Sequence, residues 1–201
     1  MCRIQLVLNP AFLYLKRKME ENNKITLETA TFGSGCFWCT EAIFERLNGV
    51  HSVVSGFAGG TVPNPTYEAV CNGKTGHAEV CQITYDPNVI SYVELLKVFW
   101  KTHDPTTLNK QGNDVGTQYR SVIFYHNEKQ KERAEYYKNE LNKSGSWNDP
   151  IVTVIESYNN FYKAEDYHQH YFEKNPYQGY CSFVIAPKVE KFQKVFKEIL
   201  K

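Results

Sequence analysis

Gly35-Cys36-Phe37-Trp38-Cys39 sits where the hydrophobic period of the chain changes, and that change decides the fold class. Ahead of it Ile25-Thr26-Leu27-Glu28-Thr29-Ala30-Thr31-Phe32 alternates loosely and is rich in threonine, the pattern of a strand. Gly33-Ser34-Gly35 breaks that strand. From Cys36 onward Phe37, Ile43, Phe44 and Leu47 fall on or near one face of an amphipathic helix, which Gly49 closes. A cysteine at a strand-to-helix junction lies among unpaired backbone N–H groups, which together with the helix dipole favour the nucleophilic thiolate. Three other readings compete. A cysteine is often only a small buried hydrophobe. Cys36-x-x-Cys39 also fits a thioredoxin-like dithiol pair, or half of a zinc site. The zinc reading needs a second pair; no other C-x-x-C exists, and His168-x-His170 has poor spacing for ligands on a helix. No metal and no cofactor are expected.

The chain has 201 residues, enough for one sizeable core, with 42% hydrophobic and 22% charged residues. A net charge of +1 gives no electrostatic case for binding nucleic acid or an anionic membrane. Tyrosine dominates the 14% of aromatic residues and suits a site that holds a small polar group between apolar walls. Six cysteines without a convincing secretion signal point to a reducing, cytoplasmic setting in which clustered thiols do chemistry.

Along the chain, Met1 to Lys18 reads as an extension. Its apolar run Ile4 to Leu15 is broken by Asn9-Pro10 and followed by Lys16-Arg17-Lys18, the reverse of a signal peptide and too short to span a membrane. A disordered extension over 1–20, or an upstream start codon ahead of a natural start at Met19, is expected, then one domain over 21–201. Strands are expected at Val50 to Phe57, His77 to Tyr85, Gln118 to Tyr125 and Ile151 to Ile155. A short helical turn is expected at Thr66 to Val70. Ser91-x-x-Glu94 is a capping box opening a helix to about Lys101, and Asn127-x-x-Gln130 starts a surface helix ending near Ser144-Gly145. His103 to Gly116 reads as a long polar loop, Tyr162 to Glu173 as a helix, Gly179-Tyr180-Cys181 as a turn, and Pro187 to Leu200 as a terminal helix. Interleaved strands and helices predict a single α/β or α+β domain.

Five ordered segments carry a resemblance that reaches from Thr26 nearly to the end. They are Gly35-Cys36-Phe37-Trp38, Asn64-Pro65-Thr66-Tyr67, Gly76-His77-Ala78-Glu79, Gly112-Asn113-Asp114-Val115-Gly116-Thr117-Gln118-Tyr119-Arg120, and Asn175-Pro176-Tyr177-Gln178-Gly179-Tyr180-Cys181. With them the sequence resembles the A class of peptide methionine sulfoxide reductases. The resemblance implies a sandwich of a mixed sheet and packed helices with a ferredoxin-like core. It also implies thiol-dependent reduction of methionine S-sulfoxide, free and in oxidised proteins, with thioredoxin as reductant and the enzyme working as a monomer. By the same resemblance Cys36 is the nucleophile that becomes a sulfenic acid. Glu79 is the acid, Tyr67 and Tyr119 are hydroxyl donors to the sulfoxide oxygen, and Asp114 organises the polar side. Phe37 and Trp38 wall the substrate's methyl group, and Cys181 is the recycling cysteine. Many relatives lack a cysteine at the position of Cys39, so Cys39 competes with Cys181 for the resolving role. Cys71 and Cys81 are expected to pack as small hydrophobes.

Overall fold

In the computed structural model, which describes residues 26–201, the opening strand β1 (Glu28–Ser34) is buried on both faces from Ala30 onward. It stands between two antiparallel neighbours, β3 (Ala78–Tyr85) and β6 (Ser121–Tyr125). β2 (Val50–Ala58) pairs antiparallel with β3, and β7 (Val154–Ser157) adds to β6 in parallel. The two-residue strand β8 (Tyr162–Lys163) closes the other edge, giving the order β7-β6-β1-β3-β2-β8. The helices α1 (Phe37–Phe44) and α3 (Tyr92–Thr102) follow β1 and β3. The run β1-α1-β2-β3-α3-β6 with strand order β6-β1-β3-β2 is the expected ferredoxin-like core. Phe32, Phe44, Ile83, Tyr85, Leu95, Phe99 and Ile123 fill the layer between sheet and helices. Val80, Val122 and Phe124 form a smaller cluster, covered by Val154, Tyr158 and Phe161. The expected extension over 1–20 lies outside the described residues.

Local chemistry explains the boundaries. The Ser91 hydroxyl accepts from the Glu94 N–H at 3.2 Å while the Glu94 carboxylate accepts from the Ser91 N–H at 2.8 Å, so both halves of the capping box are made. Asn127 caps α4 (Glu128–Lys143) by accepting from Gln130 N–H. At the far end the chain is stitched back to the exit of α1. Asn48 N–H donates to the Ile199 carbonyl at 2.8 Å, Lys201 N–H donates to the Arg46 carbonyl at 2.9 Å, and Leu47 bridges Leu200.

Several expectations are corrected. The segment read as a helix from Tyr162 to Glu173 is instead β8, a 3-10 turn at Asp166–His168 and a four-residue helix α5 (Tyr171–Lys174). Its helical pattern loses to tertiary bonds. Tyr162 and Lys163 pair with Phe57 and Gly56, the Gln169 side chain bonds both backbone groups of Ser55, and His170 adopts a left-handed φ of 54°. The loop from His103 to Gly116 contains a small hairpin, β4 (Lys110–Gln111) with β5 (Asp114–Val115). The strand expected at Ile151 to Ile155 starts only at Val154, because Val152 N–H donates to the Pro105 carbonyl instead of the ladder. Cys181 is not in a turn. It opens a π-helical turn, Cys181–Ile185, that runs into the terminal helix α6 (Ala186–Val195), and it is fully buried. Cys81 packs in the core as expected, whereas Cys71, at the end of α2 (Tyr67–Cys71), is exposed.

Candidate active site

The site begins at the junction between β1 and α1. Gly35 has φ +94°, and a Cβ there would come within 2.6 Å of the Gln111 side chain, so only glycine fits between β1 and the hairpin. The chain then turns into α1 with Cys36 at the N-cap, where its carbonyl accepts from Cys39 N–H at 3.1 Å. The Cys36 side chain caps nothing. The amide that could have served it, Phe37 N–H, donates instead to Glu79 Oε2 at 3.0 Å. Burial therefore dominates Cys36. It is 8% exposed, and its thiol lies well above the ordinary cysteine range, pushed up first by desolvation and further by its neighbours Cys39 and Glu79. The expectation of a thiolate stabilised by the helix start is thus corrected: burial holds the thiol form, and the first helix amide is given to the carboxyl group.

Glu79 lies on β3 opposite Phe57 and is 1% exposed. Burial pushes its pKa up to about 8, against the pull of the Phe37 amide, with Asp114 and Cys39 adding to the rise. A carboxyl group in that state is protonated near neutral pH and can donate. Tyr67 at the start of α2 and Tyr119 at the end of the 3-10 turn Thr117–Tyr119 are half-buried. Both phenols are raised by burial, and both feel the Glu79 charge, Tyr119 the Cys36 sulfur as well. They stay protonated donors facing the same space.

The aromatic side is built around Trp38, which is partly exposed and stacks on Tyr171 at 3.7 Å between ring centroids. Its indole N–H donates to His168 Nδ1 at 3.2 Å, which fixes the neutral imidazole with its proton on Nε2. Phe37 is 1% exposed and lies behind this wall, with its ring against Phe57, Tyr67 and His168. Asp114 on β5 accepts from the Tyr180 hydroxyl at 2.6 Å. That phenol is also raised by burial and by the Cys36 and Cys39 charges, so it bridges the polar side to the thiols.

Cys39 lies one turn along α1 from Cys36. Its thiol is lowered to about 7, chiefly by the hydrogen bond from Cys36, despite burial. Cys181 is raised by burial and then by the Cys39 charge, and its π-helical turn packs against α1. The structure thus brings together Cys36, Glu79, Tyr67, Tyr119, Asp114 and Trp38, with Phe37 behind and Cys39 and Cys181 beside them. Three contributors escaped the sequence reading: His168, Tyr171 and Tyr180. The density of polar aromatics in Tyr167-His168-Gln169-His170-Tyr171, and the position of Tyr180 next to Cys181, were the available signals. Among the described residues the cysteines are free and no helix is long and apolar enough to cross a membrane.

The family profile described as peptide methionine sulfoxide reductase matches residues 28–200. The peptide methionine sulfoxide reductase MsrA of Polynucleobacter asymbioticus is 54% identical over 183 residues, covering 91% of this chain and 96% of that protein. Among solved structures, reduced Mxr1 from Saccharomyces cerevisiae aligns with a TM-score of 0.70 at 40% identity, covering 79% of this chain and 90% of that one. Mxr1 in complex with Trx2 aligns with a TM-score of 0.51 at 30% identity, over 74% of this chain and 87% of that one.

Proposed function

The chain belongs to the peptide methionine sulfoxide reductase family and is a thiol-dependent reductase of methionine sulfoxide, and from that premise we propose how its own residues perform the reaction. The sulfoxide methyl group rests against Trp38, backed by Phe37. Its oxygen accepts hydrogen bonds from Tyr67 and Tyr119, and Asp114 with Tyr180 orders the polar rim. The Cys36 sulfur attacks the sulfoxide sulfur while Glu79 delivers a proton to the oxygen. The net step converts one thiol and one sulfoxide into a Cys36 sulfenic acid and methionine; the Cys36 proton passes to the neighbouring Cys39 sulfur, whose thiol is lowered to about 7. The observation that carries this reading is Glu79. It is a carboxyl group buried beside the nucleophile, hydrogen-bonded to the first amide of α1, and neutral near pH 7.

Recycling follows by condensation of the sulfenic acid with a second thiol, forming a disulfide and releasing water. Cys181 is the assigned partner, and a thioredoxin then reduces the disulfide. The Trx2 complex of a solved relative supports that choice of reductant. A second reading gives the first disulfide to Cys39, favoured by its position one turn along α1 from Cys36 and its lowered thiol. Thiols that must be returned to the reduced state suit a cytoplasmic location.

Single-turnover reduction of each separated sulfoxide epimer tests the whole reading. The S epimer should give one methionine per enzyme, Cys36→Ser none, and Glu79→Gln a burst slower by about two to four orders of magnitude. Cys181→Ser should keep the burst but lose thioredoxin-dependent turnover, with mass mapping of the oxidised wild type showing Cys36 joined to Cys181. A Cys36–Cys39 bond with normal thioredoxin turnover in Cys181→Ser would transfer the resolving role to Cys39.

A further inference from the structure

At the other end of α1 from the thiols, three metal-ligating side chains converge. Glu41 and Glu45, one turn apart on the last part of the helix, meet His170 from the segment before α5, with one ligand atom of each within 4.8 Å of the others. Glu45 Oε1 lies 2.5 Å from His170 Nδ1. Glu41 is 1% exposed; one of its oxygens accepts from the Tyr171 N–H at 3.2 Å, and the other, Oε1, is buried without any hydrogen-bond partner. A buried carboxylate oxygen without a donor is costly, and such groups call for an explanation.

Of the cations at the groove, His170 pairs with Glu45 and Lys163 with Asp166, and neither side chain donates to Glu41 Oε1. The last turn of α1 has no basic residue, and this is the end of the helix whose dipole already disfavours anions. The nearby Arg46 guanidinium donates to the Ala42 carbonyl and lies over the Phe172 ring. On the solvent side Glu45 and His170 line a groove of about 800 Å³, wide enough for water to complete a coordination shell.

We propose that Glu41, Glu45 and His170 bind one divalent first-row transition cation, at a site separate from the thiol pocket. Two carboxylates and one imidazole, without a thiolate, match borderline cations such as Zn²⁺, Co²⁺ or Ni²⁺; the imidazole disfavours Ca²⁺ and Mg²⁺. The cation ties α1 to the Gln169–Tyr171 segment. Tyr171, whose amide holds Glu41, stacks on Trp38, so the bound ion also steadies the aromatic wall.

Titration of the reduced full-length protein with Co²⁺, followed by absorption and by thermal unfolding, tests the proposal. One equivalent should bind with weak visible d–d bands and without the intense near-ultraviolet charge transfer of a thiolate ligand. The melting temperature should rise as the ion binds. Glu45→Gln and His170→Ala, both at positions open to the groove, should each weaken binding by about tenfold or more and remove the thermal shift. No binding at millimolar Co²⁺, binding through thiolate, or wild-type affinity in both variants would overturn the site.

Discussion

Glu79 holds two opposed properties in one side chain. It accepts a backbone N–H, which favours its charged form, yet burial overrides that bond and holds its pKa at about 8. As a general acid it works only when protonated, so the rate of sulfenic acid formation should fall as pH rises through about 8. Stopped-flow single turnovers between pH 6 and 9.5, about the window where one carboxyl group at 8 changes state, should show that alkaline limb. A limb near the ordinary carboxylate range, or none at all, would separate Glu79 from the proton transfer. The residue also adds to the thiol state that burial imposes on Cys36. A helix start has few free amides, and here the acid takes the first of them, leaving the sulfur to be activated when substrate arrives.

At the scale of elements, the junction of β1 with α1 and the β4–β5 hairpin form one unit through Gly35. Replacement by alanine forces a side chain into a left-handed φ of +94° and onto Gln111, whose side-chain carbonyl accepts from Asp104 N–H at 3.1 Å. Gly35→Ala should lower unfolding free energy by about 1–3 kcal/mol and slow the single-turnover burst, because the hairpin carries Asp114. Urea unfolding and the burst rate check both arms; a stable, fully active variant would dissolve that coupling. This junction was readable in the sequence, since a β-period run, a Gly-x-Gly break and a helical period meet within a dozen residues. The capping box at Ser91 was readable for the same reason: its chemistry is local. The segment from Tyr162 to Tyr171 was not. Its structure is decided by Ser55, Gly56 and Phe57, more than a hundred residues earlier in the chain, and its helical spacing carries no trace of them. The same holds for Cys181. Glycine beside it reads as a turn, whereas packing of the π-helical turn against α1 makes it helical and buried. The roles of Glu79 and the tyrosines were legible only through the family resemblance, because an isolated glutamate in an alternating run looks like a solvent-facing strand residue.

For the whole molecule, stability against pH combines two buried groups of opposite sense. His103 donates from Nδ1 to the Phe99 carbonyl at 2.6 Å and accepts at Nε2 from the Ser121 hydroxyl, joining α3 to β6; burial lowers its pKa to about 4. Its folded pKa is depressed, so the unfolded chain binds the extra proton first. The stability it contributes is complete above the unfolded value near 6.5 and is lost as pH falls toward 4, by roughly 3 kcal/mol. Glu79 is raised, so its contribution is complete below the unfolded value near 4.5 and is lost as pH climbs through 8, by about 5 kcal/mol. Chemical denaturation from pH 4 to 9 should show His103→Gln losing the acid-side decline and Glu79→Gln losing the alkaline one. Parallel profiles for wild type and either variant would refute that assignment. The stitch that joins Ile199 and Lys201 to Arg46 and Asn48 has a mechanical meaning. Tension applied at Lys201 travels through two backbone bonds into the base of the helix whose other end bears Cys36. A protein tethered to a surface or a cantilever by that end would therefore pass the load first into the segment that follows the helix bearing its nucleophile.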